Sequence, residues 1–132
     1  MENINPIERR DDRISCMEML FTYDMTNEYI YLSPNDDYSD FATDLVNYVC
    51  SNLEKIDDVI KASLVNYKLN RLSYVDRAII RAATAEMMMG TPKAVVINEA
   101  LEIVKVYSDQ GDGAAVRFVN KVLDNISKNL ES

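Results

Sequence analysis

The sequence predicts an all-α protein, and three observations carry that prediction. Apolar residues recur at intervals of three and four along nearly the whole chain. Glycine and proline are scarce, at three each, and every one falls where a helix would begin or end. No stretch alternates apolar and polar residues as a half-buried strand does. The outcome is about six helices with short connections, a compact bundle.

The elements follow in order. Asn5-Pro6 supplies an N-cap and a proline at the first helical position, after which Ile14, Met17 and Phe21 recur at helical spacing; this first helix fades after Met25. Ser33-Pro34-Asn35-Asp36 is a second cap, leading into Phe41, Leu45, Val49 and Leu53. Ile56, Val59, Ile60, Ser63, Leu64 and Tyr67 form a third stripe. Ser73-Tyr74-Val75-Asp76 is a capping box opening a fourth, with Ile79, Ala82, Ala83 and Glu86 on its stripe and Gly90 as its stop. Thr91-Pro92 starts a fifth, carrying Val96, Ala100, Ile103 and Tyr107. After a loop from Ser108 to Gly113, the last stripe runs Ala115, Val119, Val122, Ile126 and Leu130.

At 132 residues the chain suits one domain, residues 1–132, able to bury a core without disulfide or metal staples. Its 48% apolar and 27% charged residues describe a globular protein. No window approaches the roughly 18 apolar residues of a membrane span, and MENINPIERR lacks a signal-peptide core, so a cytoplasmic location is expected. Cys16 and Cys50 sit in apolar helical patterns without CxxC spacing and read as buried free thiols. Charge is uneven: residues 1–66 hold 14 acids and 5 bases, residues 67–132 hold 8 acids and 9 bases, for a total of -8. Arginines gather as Arg9, Arg10 and Arg13 near the start, then as Arg71, Arg77 and Arg81. An acidic total repels nucleic acid at long range, yet a local basic stripe still binds it.

Catalytic chemistry is mostly absent. There is no histidine, which excludes His-dependent triads and His-metal sites. No phosphate-binding glycine loop, nucleophile elbow or EF-hand is present; Asp109-Gln110-Gly111-Asp112-Gly113 lacks a calcium loop's ligand spacing. Asp36/Asp37 and Asp57/Asp58 are adjacent in sequence, so on a helix their side chains diverge, and solvated surface is the expectation. The chain reads as a binder that needs no cofactor and no metal, not as an enzyme.

The run NRLSYVDRAIIRAATAEM from Asn70 to Met87, PKAVVINEALEIVK from Pro92 to Lys105 and RFVNKVLDNI from Arg117 to Ile126 resemble the NusB family of transcription antitermination factors. That family typically shows an arginine-leucine pair, a later Asp-Arg and Leu-Arg on one helix, an INEA segment and an FVNGVL segment. The N-terminal arginine helix ending in MLFTYDM is similar to the family's first helix, so the resemblance extends over nearly the full length. It implies six or seven helices in two packed three-helix groups. It further implies binding of the boxA element of ribosomal RNA leader transcripts together with the NusE ribosomal protein, and joining of the RNA polymerase elongation complex through other Nus factors. RNA contacts carry over to Arg9, Arg10 and Arg13, with Phe118 of the FVN segment near the RNA side and Lys121 beside it. Partner contacts carry over to Phe21 and Glu86.

Each position has a second reading. Arg9, Arg10 and Arg13 span a helical turn able to grip phosphates, or else pair with Asp11, Asp12 and neighbouring acids. Phe21 packs in the core, or meets a partner. Glu86, an acid in the apolar stretch AEMMM, is held by an arginine, or faces a basic ribosomal protein. Asn98 and Asn120 are expected to be buried and bonded to backbone. Arg77 and Arg81, four apart on one face, are expected to pair with Asp76, Glu99 or Glu102. Two departures bear on RNA: Asp11 stands where the family has a basic residue, and Lys121 replaces the glycine of FVNGVL. The loop SDQGDGAAV adds acids near Arg117. The rival function is a protein-only module, a homodimer or adaptor, with RNA binding weak or lost.

Overall fold

A computed structural model describes residues 6–28 and 38–131, with side chains from Arg9 onward. Its elements are α1 (Pro6–Thr26), α2 (Asp40–Ser63), a 3-10 turn (Leu69–Arg71), α3 (Tyr74–Met88), α4 (Lys93–Tyr107) and α5 (Ala114–Glu131). Among the described residues there is no strand, and no helix is long and apolar enough to cross a membrane.

The count of five α-helices among the described residues, rather than six or seven, has a local cause. The second apolar stripe and the third as far as Ser63 lie on one helix, α2, which bends at Asn52 (φ -129°, ψ 21°) without ending; Leu64 caps it, and Tyr67, expected on the stripe, lies beyond it and is exposed. Asn52 Nδ2 donates to the Tyr48 carbonyl at 2.9 Å, and this side-chain bond within the backbone ladder is a recognised source of a kink. With no glycine or proline between Leu53 and Ile56, nothing stops the chain there.

The remaining boundaries follow backbone chemistry. Asn5 and the expected cap at residues 33–36 lie outside the described residues, as does the Asp36/Asp37 pair. Pro6 is the first residue of α1, and α1 closes with Asn27 at φ 61°, its N–H donating to the Tyr23 carbonyl at 2.7 Å. Ser39 caps α2, its Oγ accepting from the Ala42 N–H at 3.0 Å while donating to Asp12 Oδ2 at 2.7 Å, which ties α1 to α2. Ser73 Oγ accepts the Asp76 N–H at 3.1 Å at the start of α3. At its end Gly90 (φ 104°) and Thr91 donate to the Met87 and Glu86 carbonyls at 3.1 and 3.2 Å, the paired bonds of a Schellman stop.

The helix α3 is the axis of the fold. Every residue from Ala78 to Met87 is buried, because α1, α2, α4 and α5 all pack on it. Its alanines let the neighbours approach closely. Two three-helix groups, α1-α2-α3 and α3-α4-α5, therefore share α3, and α2 also meets α5. Cys16, Leu20, Leu45, Ile56, Ile80 and Leu123 are among the fully buried side chains. Asn98 and Asn120 are exposed, contrary to expectation. Asn98 sits about 200° around α4 from both Val96 and Ala100, so it faces outward.

Candidate nucleic-acid and partner interface

Ion pairs fix α1 antiparallel to α3. Near the start of α1, Arg13 Nε and Nη2 donate to Glu86 Oε1 and Oε2 at 2.6 and 2.8 Å. At the other end, Asp24 accepts from Arg81 Nη1 at 3.0 Å. Arg81 also forks onto Asp57 of α2, through Nε at 2.9 Å and Nη2 at 3.0 Å. Burial works to lower the Arg81 pKa, but the bonds and charges of Asp57 and Asp24 outweigh it and raise it. Arg77 Nε lies 3.6 Å from Asp24 Oδ2, and its Nη2 donates to the Leu72 carbonyl at 3.3 Å. The expected network around Arg77 and Arg81 thus exists with different acids: Asp24 and Asp57 occupy the places given to Asp76, Glu99 and Glu102. Asp57 is correspondingly not a solvated surface acid; its chain is 16% exposed. Asp76 instead accepts from Ser108 Oγ, joining the start of α3 to the end of α4.

The three N-terminal arginines meet different fates. The Arg13 side chain is 11% exposed and held by Glu86. Arg10 crosses to α4, donating through Nε and Nη2 to Glu99 at 2.7 and 3.3 Å. That bond and its charge raise the Arg10 pKa. The same bond lowers the Glu99 pKa; partial burial opposes it, and the charges of Arg10 and Arg13 reinforce it. Arg9 lies over the Phe41 ring, 3.9 Å from its centroid, and has no ion pair among the described side chains. Neither expected acid partner, Asp11 or Asp12, takes an arginine: Asp12 binds Ser39 and Asp11 is exposed.

Glu86 is 2% exposed, so it faces Arg13 rather than the surface. Phe21 is 36% exposed and touches Tyr74 edge-on, centroids 6.2 Å apart, while Arg77 stacks over Tyr74 at 5.0 Å. Phe21 therefore lies at the rim of the core. It is eight residues past Arg13, about 12 Å along α1, so Phe21 and Glu86 do not share one patch. Phe118, half-buried on α5, rests against Tyr67 with centroids 5.4 Å apart, and Lys121 is exposed one turn later. These last two belong to the end of the molecule where α3 and α5 begin. Arg9 and Arg10 belong to the region near Glu99, midway along α4. The residues expected to contact RNA thus form two groups.

Sequence reasoning missed Tyr67, Tyr74, Asp24 and Asp57. A tyrosine followed by two cations in VNYKLNR was a legible signal for the first; the two aspartates carried none, since their partner is 57 and 24 residues away. Among the described residues, no group of three or more acids and cysteines is arranged to hold a metal.

A family model described as the NusB family matches residues 10–128. The transcription antitermination protein NusB of Bacillus licheniformis is 41% identical over 132 residues, covering 95% of this chain and 100% of that protein. The NusB of Bacillus subtilis is 37% identical, covering 95% and 98%. Among solved structures, T. maritima NusB superposes with a TM-score of 0.76 at 32% identity, covering 97% of this chain and 93% of that one. A chain in the crystal structure of the antitermination factors NusB and NusE in complex with dsRNA gives 0.77 at 26% identity, covering 95% and 99%.

Proposed function

The chain belongs to the NusB family, and from that premise we propose that it is a transcription antitermination factor that binds RNA together with the ribosomal protein NusE. The observation that carries the reading is the match of 95% of this chain to one found in a complex of NusB, NusE and dsRNA. Its work is binding, not catalysis. The RNA is a boxA-type ribosomal leader, the assembly joins the RNA polymerase elongation complex through other Nus factors, and the location is the cytoplasm. One domain, residues 1–132, carries all of this.

Within it, Arg9 and Arg10 are the arm that meets phosphate, and Arg13 fixes the angle of that arm through Glu86. Phe118 and Lys121 give RNA a second contact. Phe21 contacts NusE, and Glu86 serves that surface through α1. Arg9 supports this arrangement best: stacking on Phe41 holds its guanidinium without neutralising it.

A protein-only adaptor is the second reading, favoured by one observation. Two of the three arginines are already engaged by acids of their own chain. Fluorescence anisotropy of a boxA-like RNA, with and without NusE at several salt concentrations, separates the two. Binding that appears chiefly with NusE and weakens steeply with salt supports antitermination. NusE association with no RNA binding in any condition supports the adaptor.

A further inference from the structure

Between α2 and α3 the chain turns through a segment built to hold its shape. Asn66 takes φ 57°, and Leu69 and Leu72 are buried at 8% and 4% exposure, pinning the 3-10 turn from below. The Tyr67 hydroxyl donates to the Arg71 carbonyl at 3.3 Å, and its ring, 47% exposed, leans on Phe118. Lys68, in extended conformation, immediately precedes the turn, and Arg71 ends it. Together with Asn66 and Tyr67 they line one cleft; Lys61, Tyr67, Lys68, Asn70 and Arg77 line an adjoining one of about 550 Å³.

The charge here differs from that of the chain as a whole. Residues 61–75 contain three bases and no acid in a protein of net charge -8. Arg77 and Arg81, which border the larger cleft, are committed to Asp24 and Asp57. Lys61, Lys68 and Arg71 have no ion pair among the described residues, nor has Lys121 beside Phe118. Cations alone would suit any polyanion, an acidic protein included. An exposed ring set among them is the feature that single-stranded nucleic acid uses, bases stacking on aromatics while phosphates meet the cations.

We propose that Tyr67, Lys68 and Arg71 form a second RNA-contacting surface, in which a base of single-stranded RNA stacks on Tyr67 and its flanking phosphates meet Lys68 and Arg71. It rests on the RNA-binding reading above and extends it. The antiparallel pairing of α1 and α3 puts this turn at the Asp24 end, on the order of 20 Å along α1 from Arg9. RNA held by the arginine arm continues across the molecule to this turn.

The test is anisotropy of a labelled single-stranded RNA with the full chain and NusE, comparing wild type, Tyr67→Ala, Tyr67→Phe and the double variant Lys68→Ala/Arg71→Ala. Thermal melts confirm that each variant is folded. Tyr67→Ala is expected to weaken binding at least about fivefold and Tyr67→Phe to restore it, since the ring rather than the hydroxyl stacks. The double variant is expected to flatten the salt dependence, log K against log salt, by about 1.4, two single-strand phosphate contacts. If wild type binds RNA and the variants match it in affinity and slope, this surface is not a contact, while the antitermination reading stands. If the variants lose NusE but keep RNA, the surface belongs to the protein partner and the proposal falls. If wild type binds no RNA with or without NusE, both readings fall together.

Discussion

Arg13 and Glu86, 73 residues apart in sequence, meet as a two-pronged pair at 2.6 and 2.8 Å, with the carboxylate side chain only 2% exposed. Of the two readings each residue carries, the pair matches the internal one: Arg13 is engaged by an acid of its own chain, and Glu86 is held by an arginine. The consequence is a division of labour along one helical turn: Arg13 anchors, Arg10 is held by Glu99, and Arg9, stacked on Phe41, keeps its charge unpaired among the described side chains.

Removing one member of this pair leaves a buried charge alone. Arg13→Ala is expected to lower folding stability by roughly 3–5 kcal/mol, measured by urea unfolding. Arg9→Ala, at the outer side, should change stability by less than about 0.5 kcal/mol. Equal effects from the two substitutions would refute the division.

Glu99 restrains Arg10, so Glu99→Gln should release it. The expected result is tighter RNA binding with a salt slope steeper by about 0.7, one additional single-strand phosphate contact. An unchanged slope would mean that Arg10 does not reach RNA even when free.

The same pair makes stability sensitive to acid. The Glu99 pKa is lowered in the folded state by the Arg10 bond and neighbouring charge against the opposing effect of burial, so the unfolded chain takes up its proton first. The contribution is complete above the ordinary glutamate value of about 4.3 and is lost as pH falls through the lower folded value. Urea unfolding across that window should show a smaller acid-induced loss in Glu99→Gln than in wild type; identical profiles would remove Glu99 as a source.

The two thiols differ in surroundings. Burial raises the pKa of Cys16, fully enclosed, far above the ordinary thiol range, and raises that of half-buried Cys50 as well. A thiol reagent should therefore label Cys50 first in the native protein and label Cys16 only on unfolding. Prompt labelling of both in the folded state would contradict the packing of α1.

Gly90 stops α3 with φ 104°, and a Cβ there would meet nothing within 4 Å. Gly90→Ala is therefore a backbone effect alone, a loss of about 1 kcal/mol visible as a lower unfolding midpoint. No loss would show that the stop tolerates a side chain.

How far the sequence was legible depended on distance along the chain. Ser73 and Gly90 announce the ends of α3 because caps act within four or five residues. The joining of two stripes into α2 was hidden because Asn52 bends the helix without breaking it, and a bend shifts the apolar phase much as a new helix does. For the site, Glu86 signalled its need for a cation by standing among apolar residues, but nothing local distinguished Arg13 from Arg9 as its partner. Asn98 misleads for the opposite reason: a polar residue two places from Val96 and Ala100 predicts burial when the stripe is read without its phase, whereas it occupies the outer side of α4.

The long-range pairs also impose an order of events during synthesis. The helix α1 leaves the ribosome before α3, yet its anchors, Arg81 for Asp24 and Glu86 for Arg13, are encoded 57 and 73 residues later. At roughly 5–20 residues per second, several seconds pass in which α1 has no α3 to lie on. So α1 cannot be locked in place before α3 has been made, and the arginine arm acquires its aim only after Glu86 has emerged.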